Sequence, residues 1–444
     1  MTMHGMRAIA AFAILFFPVA ALALDESKAV AEKNRIRAEE VAVPSGRLIG
    51  KTYFGLHLHR ADTTTPWPQV EFGYMRLWDS NTAWINLQTY PVTWDFDRLD
   101  KLVALAEANG VEVALTLGST PRWASARPSE KCGYGTGCAA EPAQISDWEN
   151  YVRTVAERYR GRICYYEIWN EPDFNASSNV GGFFTGTADK MVELASTAYR
   201  IIKQIDPGAK VLSPAAVADT ARIEPFLKVG GGKTFDILAV HFYALPPENI
   251  VGYVAQFKSL LAKYGLQGKP IWNTESGFLI SDKESAPESL NLDLSKGVFG
   301  NKLDQETAAA FVARHLILGA ALGLERSALY AWDNKEMGFT DMRTHEPNRV
   351  GIAYGTVASW LIGSRLLGCV RKNASLWQCE ITRGGRRAWI VWSTVRDAVF
   401  DANSLSVAIR VKESLDARIE SVRSGDIIHL GLAPILLKSD SGPW

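Results

Sequence analysis

The sequence predicts a (β/α)8 TIM barrel followed by a C-terminal all-β sandwich. Two observations carry this reading. Short β-type runs alternate with longer helical patterns from Tyr53 to about Ser364, and from about Leu367 the helical patterns give way to short alternating strands separated by turn residues.

The strand candidates of the first region are Tyr53–His59, Tyr74–Asp79, Val111–Leu117, Ile163–Trp169, Lys210–Pro214, Ile237–Tyr243, Pro270–Glu275 and Ala328–Trp332. Helical spacing occupies Phe96–Asn109, Ile145–Tyr159, Lys190–Ile205, Ile250–Tyr264 and Gln305–Leu322 between them. A doubly wound open sheet is the alternative. It is disfavoured because no Gly-rich phosphate fingerprint follows any of these strands. In the second region, Trp377–Thr382, Arg387–Thr394, Leu405–Val411, Ala417–Arg423, Asp426–Leu430 and Pro434–Lys438 read as strands with no helix among them. The domain reading is therefore a signal peptide or membrane anchor over 1–23, a helix or tether over 24–49, the barrel over 50–364 and the sandwich over 365–444.

Composition narrows the function. Lysine plus arginine total 48 and aspartate plus glutamate total 48, so the chain lacks the basic face that nucleic acid requires. With 47% hydrophobic residues it is no acidic disordered tail. The 14 Trp and 14 Tyr include flat apolar faces of the kind that suit the C–H patches of sugar rings. At the N-terminus, Arg7 precedes an apolar run from Ala8 to Leu24, and Ala21-Leu22-Ala23 supplies small residues for cleavage after Ala23. The run is at the short limit for spanning a bilayer, so a cleaved signal and an uncleaved anchor both stay open, and either exports the catalytic body.

The five cysteines suit an oxidising compartment. Cys132 and Cys138 flank a Gly-rich pentapeptide, and Cys369 and Cys379 flank an expected hairpin; they read as two disulfides, with connectivity open. Neither pair has the spacing of a zinc knuckle, so no metal site is expected. Cys164 reads as a buried free thiol.

Barrel enzymes hold their catalytic groups where strands end at the C-terminal face. After the fourth strand comes Trp169-Asn170-Glu171-Pro172, and a bulge is needed to aim both Asn170 and Glu171 at one cavity. The seventh strand closes on Glu275, with Ile271, Asn273 and Glu275 expected on one face. Two carboxylates facing each other across a barrel mouth are what glycosidic hydrolysis needs, one as acid and one as nucleophile or base.

Tyr166-Glu167-Ile168-Trp169-Asn170-Glu171-Pro172 resembles the acid/base motif of clan A glycoside hydrolases, and Pro270-Ile271-Trp272-Asn273-Thr274-Glu275 resembles their nucleophile strand. Phe54-Gly55-Leu56-His57 and the appended β-domain are most similar to glycoside hydrolase family 39, and the layout from about Gly50 onward is similar to its exopolysaccharide endoglycosidases of the Psl type. The resemblance implies that Glu171 is the general acid/base, Glu275 the nucleophile of a retaining mechanism, and Asn170 a ligand for the sugar hydroxyl beside the anomeric carbon. It further implies an exopolysaccharide substrate, no cofactor, and a monomer in the periplasm, tethered or not to exopolysaccharide machinery at the inner membrane. The alternatives are an exo-acting xylosidase-like enzyme of the same clan and a non-catalytic polysaccharide-binding component of an export complex. The second carboxylate argues against the last of these.

Other strand-end residues take lesser roles. Arg76 is expected to pair with Glu275 and hold it ionised. His241 or Tyr243 orients Glu275, and Trp332 floors the sugar site. Trp123 either stacks on sugar or packs the loop. His57 and His59 share a face, and one of them binds substrate. Glu167 lies inside its strand and reads as an interior hydrogen-bonding group. The Cys132–Cys138 segment and the long stretch from Ser276 to Asp304 are expected to shape the cleft rim.

Overall fold

The computed structural model describes residues 40–41, 46–174, 183–281, 292–423, 425–440, 442 and 444. The expected signal or anchor, most of the expected tether and the middle of the Ser276–Asp304 stretch lie outside these residues.

Eight parallel strands form the barrel: β1 Phe54–Leu56, β2 Tyr74–Leu77, β3 Glu112–Leu117, β4 Tyr165–Ile168, β5 Lys210–Leu212, β6 Leu238–His241, β7 Ile271–Glu275 and β8 Arg326–Leu329. They run side by side in the order β5-β4-β3-β2-β1-β8-β7-β6, with a short strand at Ala216–Val217 beside β6. A parallel bridge between Leu212 and Ile237 closes the ring between β5 and β6. The outer helices are α1 Asp97–Ala108, α2 Ile145–Arg158, α3 Ala188–Ile205, α4 Thr220–Lys228, α5 Ile250–Lys263, α6 Gln305–Ala321 and α7 Arg349–Leu361. Among the described residues no helix joins β1 to β2.

Alternation along the strands stacks the barrel interior in layers, as expected for side chains that switch face at every residue. Tyr74, Ala114, Ala239, Trp272 and Ala328 share the lower, apolar layer. Two residues further along β2, β3, β4 and β7 stand Arg76, Thr116, Glu167 and Thr274, all bonded to one another through Glu167. An apolar floor thus carries a polar layer directly beneath the mouth. Gly55 is required here: a Cβ on it would lie 2.2 Å from the Tyr74 ring that fills the floor.

Beyond α7 the chain forms β9 Arg365–Arg371, β10 Leu376–Arg383, β11 Arg386–Ser393, β12 Ala398–Phe400, β13 Val411–Glu413, β14 Ile419–Ser421, β15 Ile428–Leu430 and β16 Ile435–Lys438. An antiparallel sheet runs β9-β10-β11-β16-β13-β14, and β12 pairs with β15 as a smaller layer. Both faces of the central strands are buried. On β11, Ile390 and Trp392 join the core shared with the barrel, while Trp389 and Val391 pack under the smaller layer. Trp392 donates to Glu248 at 3.1 Å, and Arg314 on α6 donates to the same carboxylate at 2.7 Å. Barrel and sheet belong to one compact unit, and this sheet buttresses the barrel.

Four local expectations change. Glu40–Val41, expected in the tether, pairs with β9 as an edge strand of the C-terminal sheet. The strand expected over Leu405–Val411 begins only at Val411; Leu405 and Ile409 instead anchor the preceding loop on the smaller core. Cys164 is a free thiol but half-buried rather than buried. Ile271, Asn273 and Glu275 do not share a face, for a reason given below. The cysteines pair as Cys132–Cys138 and Cys369–Cys379.

Candidate active site

Glu171 and Glu275 reach the same cavity by breaking strand alternation. On β7, Trp272 and Thr274 point inward, while Asn273 points out to His315 on α6 and Ser327 on β8. Strict alternation would send Glu275 outward as well. The register slips between Val240 and His241, so that Val240 faces Asn273 but His241 faces Glu275, and this irregularity turns the glutamate inward.

After β4 the device is different. Trp169 and Glu171 have positive φ values of 65° and 40°, a costly backbone for non-glycine residues. Trp169 swings out to pack against Trp148 and Phe184, and its ring N–H donates to the Phe183 carbonyl at 2.7 Å. Asn170 and Glu171 are both left at the mouth. Gly118 makes room for this turn, since a Cβ there would stand 3.0 Å from the Trp169 ring.

One guanidinium organises the pair. Arg76, fully buried, donates to Glu167 Oε2 at 2.5 Å, Glu275 Oε2 at 2.7 Å and Asn170 Oδ1 at 2.8 Å. Burial alone would discharge it, but the Glu167 and Glu275 carboxylates outweigh that and hold it firmly charged. Because an arginine only donates, Asn170 must present Oδ1 to it, leaving its NH2 to donate elsewhere. Tyr243 donates its hydroxyl to Glu275 Oε1 at 2.7 Å. His241 turns to the other glutamate: its Nδ1 lies 2.7 Å from Glu171 Oε1 and 3.9 Å from Glu275 Oε1. Of the two groups expected to orient Glu275, Tyr243 does so and His241 holds Glu171.

The carboxyls titrate as one system. Burial raises Glu275, and the neighbouring Glu171 adds to this against His241, Arg76 and Tyr243. Burial also pushes Glu171 up, but the His241 hydrogen bond and the fields of His241 and Arg76 overcome it and hold Glu171 below its ordinary value. Oxygens of Glu171 and Glu275 and a ring nitrogen of His241 all lie within 4.8 Å of one another. These residue types also ligate metals, but both Glu275 oxygens already accept from donors, one of them cationic. The set therefore fits proton transfer better than cation binding.

The remaining expected residues divide. His57 is fully buried and bonds through Nε2 to the Thr274 carbonyl at 3.0 Å, so that nitrogen supports β7. Burial, then the Arg76 charge, keeps it neutral. His59 lies higher, its ring 5.0 Å from that of Tyr330. Trp332 is 2% exposed and belongs to the core; β8 ends at Leu329, and alternation from Ala328 brings Tyr330 to the mouth instead. Trp123 packs its loop, donating to Gln88 O at 2.9 Å and meeting Trp84 edge-on.

Sequence reasoning missed the mouth residues Asp79, Tyr134 and Tyr330, and the exposed Phe299, whose ring lies 5.0 Å from Tyr243. Tyr330 could have been found by reading one residue past β8 with alternation kept, whereas Asp79 lies two residues past β2 at a left-handed φ of 57° that alternation does not anticipate. Tyr134 and Phe299 lie in the two segments expected to shape the rim, although the sequence singles out neither ring.

With this geometry in hand, similarity to known proteins becomes informative. Residues 77–294 match the cellulase family, glycosyl hydrolase family 5. The fold is similar to a family 39 glycoside hydrolase from Bacteroides cellulosilyticus WH2, with a TM-score of 0.66 and 16% identity over 89% of this chain and 82% of that one. It is also similar to a family 39 β-xylosidase from Caulobacter crescentus, with a TM-score of 0.62 and 18% identity over 91% and 98% of the two chains. A family 30 endoxylanase from Clostridium papyrosolvens C71 gives a TM-score of 0.60 and 13% identity over 90% and 99%. The barrel and its appended sheet thus have the fold of these glycoside hydrolases, and the match over residues 77–294 is to a glycosidase family.

Proposed function

We propose that the protein is a retaining endo-glycosidase acting on a self-produced exopolysaccharide, with Glu275 as nucleophile and Glu171 as acid/base. The observation that carries the retaining assignment is the proximity of the two carboxyls. One oxygen of each carboxyl within 4.8 Å of the other suits double displacement, at about 5–5.5 Å between carboxyls, better than an inverting site, at about 6.5–9.5 Å.

Glu275 attacks the anomeric carbon while Glu171 gives its proton to the departing glycosidic oxygen. The C–O bond breaks and a glycosyl ester forms on Glu275. Glu171, now ionised, takes a proton from water, the water oxygen attacks the anomeric carbon, and the Glu275 carboxylate leaves. This cycle needs charge on Glu275 and the proton on Glu171. Arg76 and Tyr243 donate to Glu275 and favour its charged form, and a glycosidic oxygen entering beside Glu171 competes with His241 for that carboxyl. Asn170 donates its NH2 to the sugar hydroxyl next to the reacting carbon.

Phe299, 63% exposed on the β7–α6 connection, offers a flat face beside Tyr243 for sugar on the Glu171 side. That favours a chain over a small glycoside. The similarity to β-xylosidases favours an exo-acting xylosidase as the second reading. Export to the periplasm, as a monomer near exopolysaccharide machinery of the inner membrane, follows from the N-terminal apolar run and the resemblance. Incubation of purified protein with candidate exopolysaccharides tests the main reading. Early release of oligosaccharides is expected; release of monosaccharide alone would replace it with the exo reading.

A further inference from the structure

The mouth carries a second polar cluster away from Glu171. Asp79, exposed at the end of β2, accepts the hydroxyl of Tyr134 on one oxygen and that of Tyr330, at 2.7 Å, on the other. Tyr134 sits inside the Cys132–Cys138 loop, with its ring 5.5 Å from Trp78 and 6.0 Å from Phe183, so its position is set by a disulfide and an aromatic wall. Among the described residues no cation pairs with Asp79. Each Asp79 oxygen therefore keeps acceptor capacity. Beside it His59, 7% exposed and 5.0 Å from the Tyr330 ring, has a buried Nε2 with no partner. An unpaired buried ring nitrogen is costly unless something completes it.

The cluster lies on a definite side. Asp79, His59 and Tyr330 follow β2, β1 and β8, which are consecutive in the sheet, with β7 and Glu275 next in line. Glu171 and His241 come from β4 and β6, on the other side of Glu275. The leaving oxygen must face Glu171, so the sugar that stays with the enzyme extends toward β8, β1 and β2.

We propose that Asp79, held by Tyr134 and Tyr330 and flanked by His59, forms the subsite for the retained sugar and selects neutral or amino sugars over uronic acids. The subsite rests on the double-displacement reading for its orientation. Sugar hydroxyls donate to Asp79 and complete His59. An ammonium group adds charge attraction, whereas a sugar carboxylate meets the three carboxylates of Asp79, Glu171 and Glu275.

Binding separates this proposal from the catalytic one. The full chain carrying Glu275→Gln, which consumes nothing, is titrated with cellotetraose, a chitosan tetramer and tetragalacturonate, with intrinsic Trp fluorescence as readout. The first two are expected to bind, and the acidic probe about tenfold more weakly or worse. Adding Asp79→Asn, which keeps shape and tolerates the left-handed φ of 57° at this position, should weaken the chitosan probe about tenfold and narrow the gap to the acidic one. Equal binding of all three, binding of none, or no change with Asp79→Asn would overturn the proposal. Hydrolysis by the wild type is measured separately, and its absence alongside the expected binding would refute the catalytic reading alone.

Discussion

Arg76 and Glu275 meet across the barrel, with Nη1 2.7 Å from Oε2, although β1 and β8 separate their strands in the sheet. The same guanidinium holds Asn170 and the buried Glu167, so Glu167, Asn170 and Glu275 all depend on one side chain.

Arg76→Lys keeps a charge but loses the three-way fork. A fall in kcat of about 100-fold or more is expected, with KM changing less. Arg76→Ala also strands Glu167 in the interior and should destabilise the fold by about 3–5 kcal/mol. Kinetics and urea unfolding check the two effects separately.

The pH profile of kcat/KM should be bell-shaped and should move with each orienting residue. Tyr243 donates to Glu275 and favours its ionised form. Tyr243→Phe therefore raises the Glu275 pKa further and shifts the acidic limb to higher pH. His241 holds Glu171 low; His241→Ala raises Glu171, and because Glu171 must be protonated, the basic limb also moves up. A limb that stays put would remove that residue from its assigned contact.

Gly118→Ala introduces a Cβ 3.0 Å from the Trp169 ring, at a φ of 156° that L residues rarely adopt. A cost of about 1–3 kcal/mol is expected. Displacing Trp169 also displaces Asn170 and Glu171, so kcat should fall although the substitution touches no substrate. Thermal unfolding and initial rates read the two consequences.

Glu248→Gln weakens the hold on the buried Arg314 and on Trp392, where barrel and sheet meet. A loss of about 3–5 kcal/mol with kcat preserved is expected if the sheet is a buttress. Chemical unfolding of the full chain measures it.

Much of this site is legible in the sequence because strand ends and residue types repeat a simple logic. The runs ending in Glu171 and Glu275 lie on β4 and β7, and Glu167 is the interior group its mid-strand position implies. Elsewhere the strand ends depart from the simple pattern. β8 ends at Leu329, so Tyr330, in phase with Ala328, stands at the mouth while Trp332 packs in the core. On β7 the inward turn of Glu275 depends on a register slip with β6, which leaves no mark in either strand's residues. Tyr134 and Phe299 are brought to the cleft by loops, and loop paths depend on tertiary contacts that local patterns do not encode.

The two glutamates can be told apart with azide and an activated aryl glycoside. Glu275→Ala should yield a glycosyl azide of inverted configuration, since azide attacks the substrate directly. Glu171→Ala should yield one of retained configuration, since azide intercepts the ester on Glu275. Exchange of the two products would exchange the roles.

The most direct measurement is the anomeric configuration of the first-formed product of the wild-type enzyme, followed by NMR before mutarotation. The double displacement proposed from carboxyl oxygens within 4.8 Å predicts a product that keeps the configuration of the bond that was cleaved. A first product of inverted configuration would contradict the double displacement and, with it, the assignment of Glu275 as nucleophile.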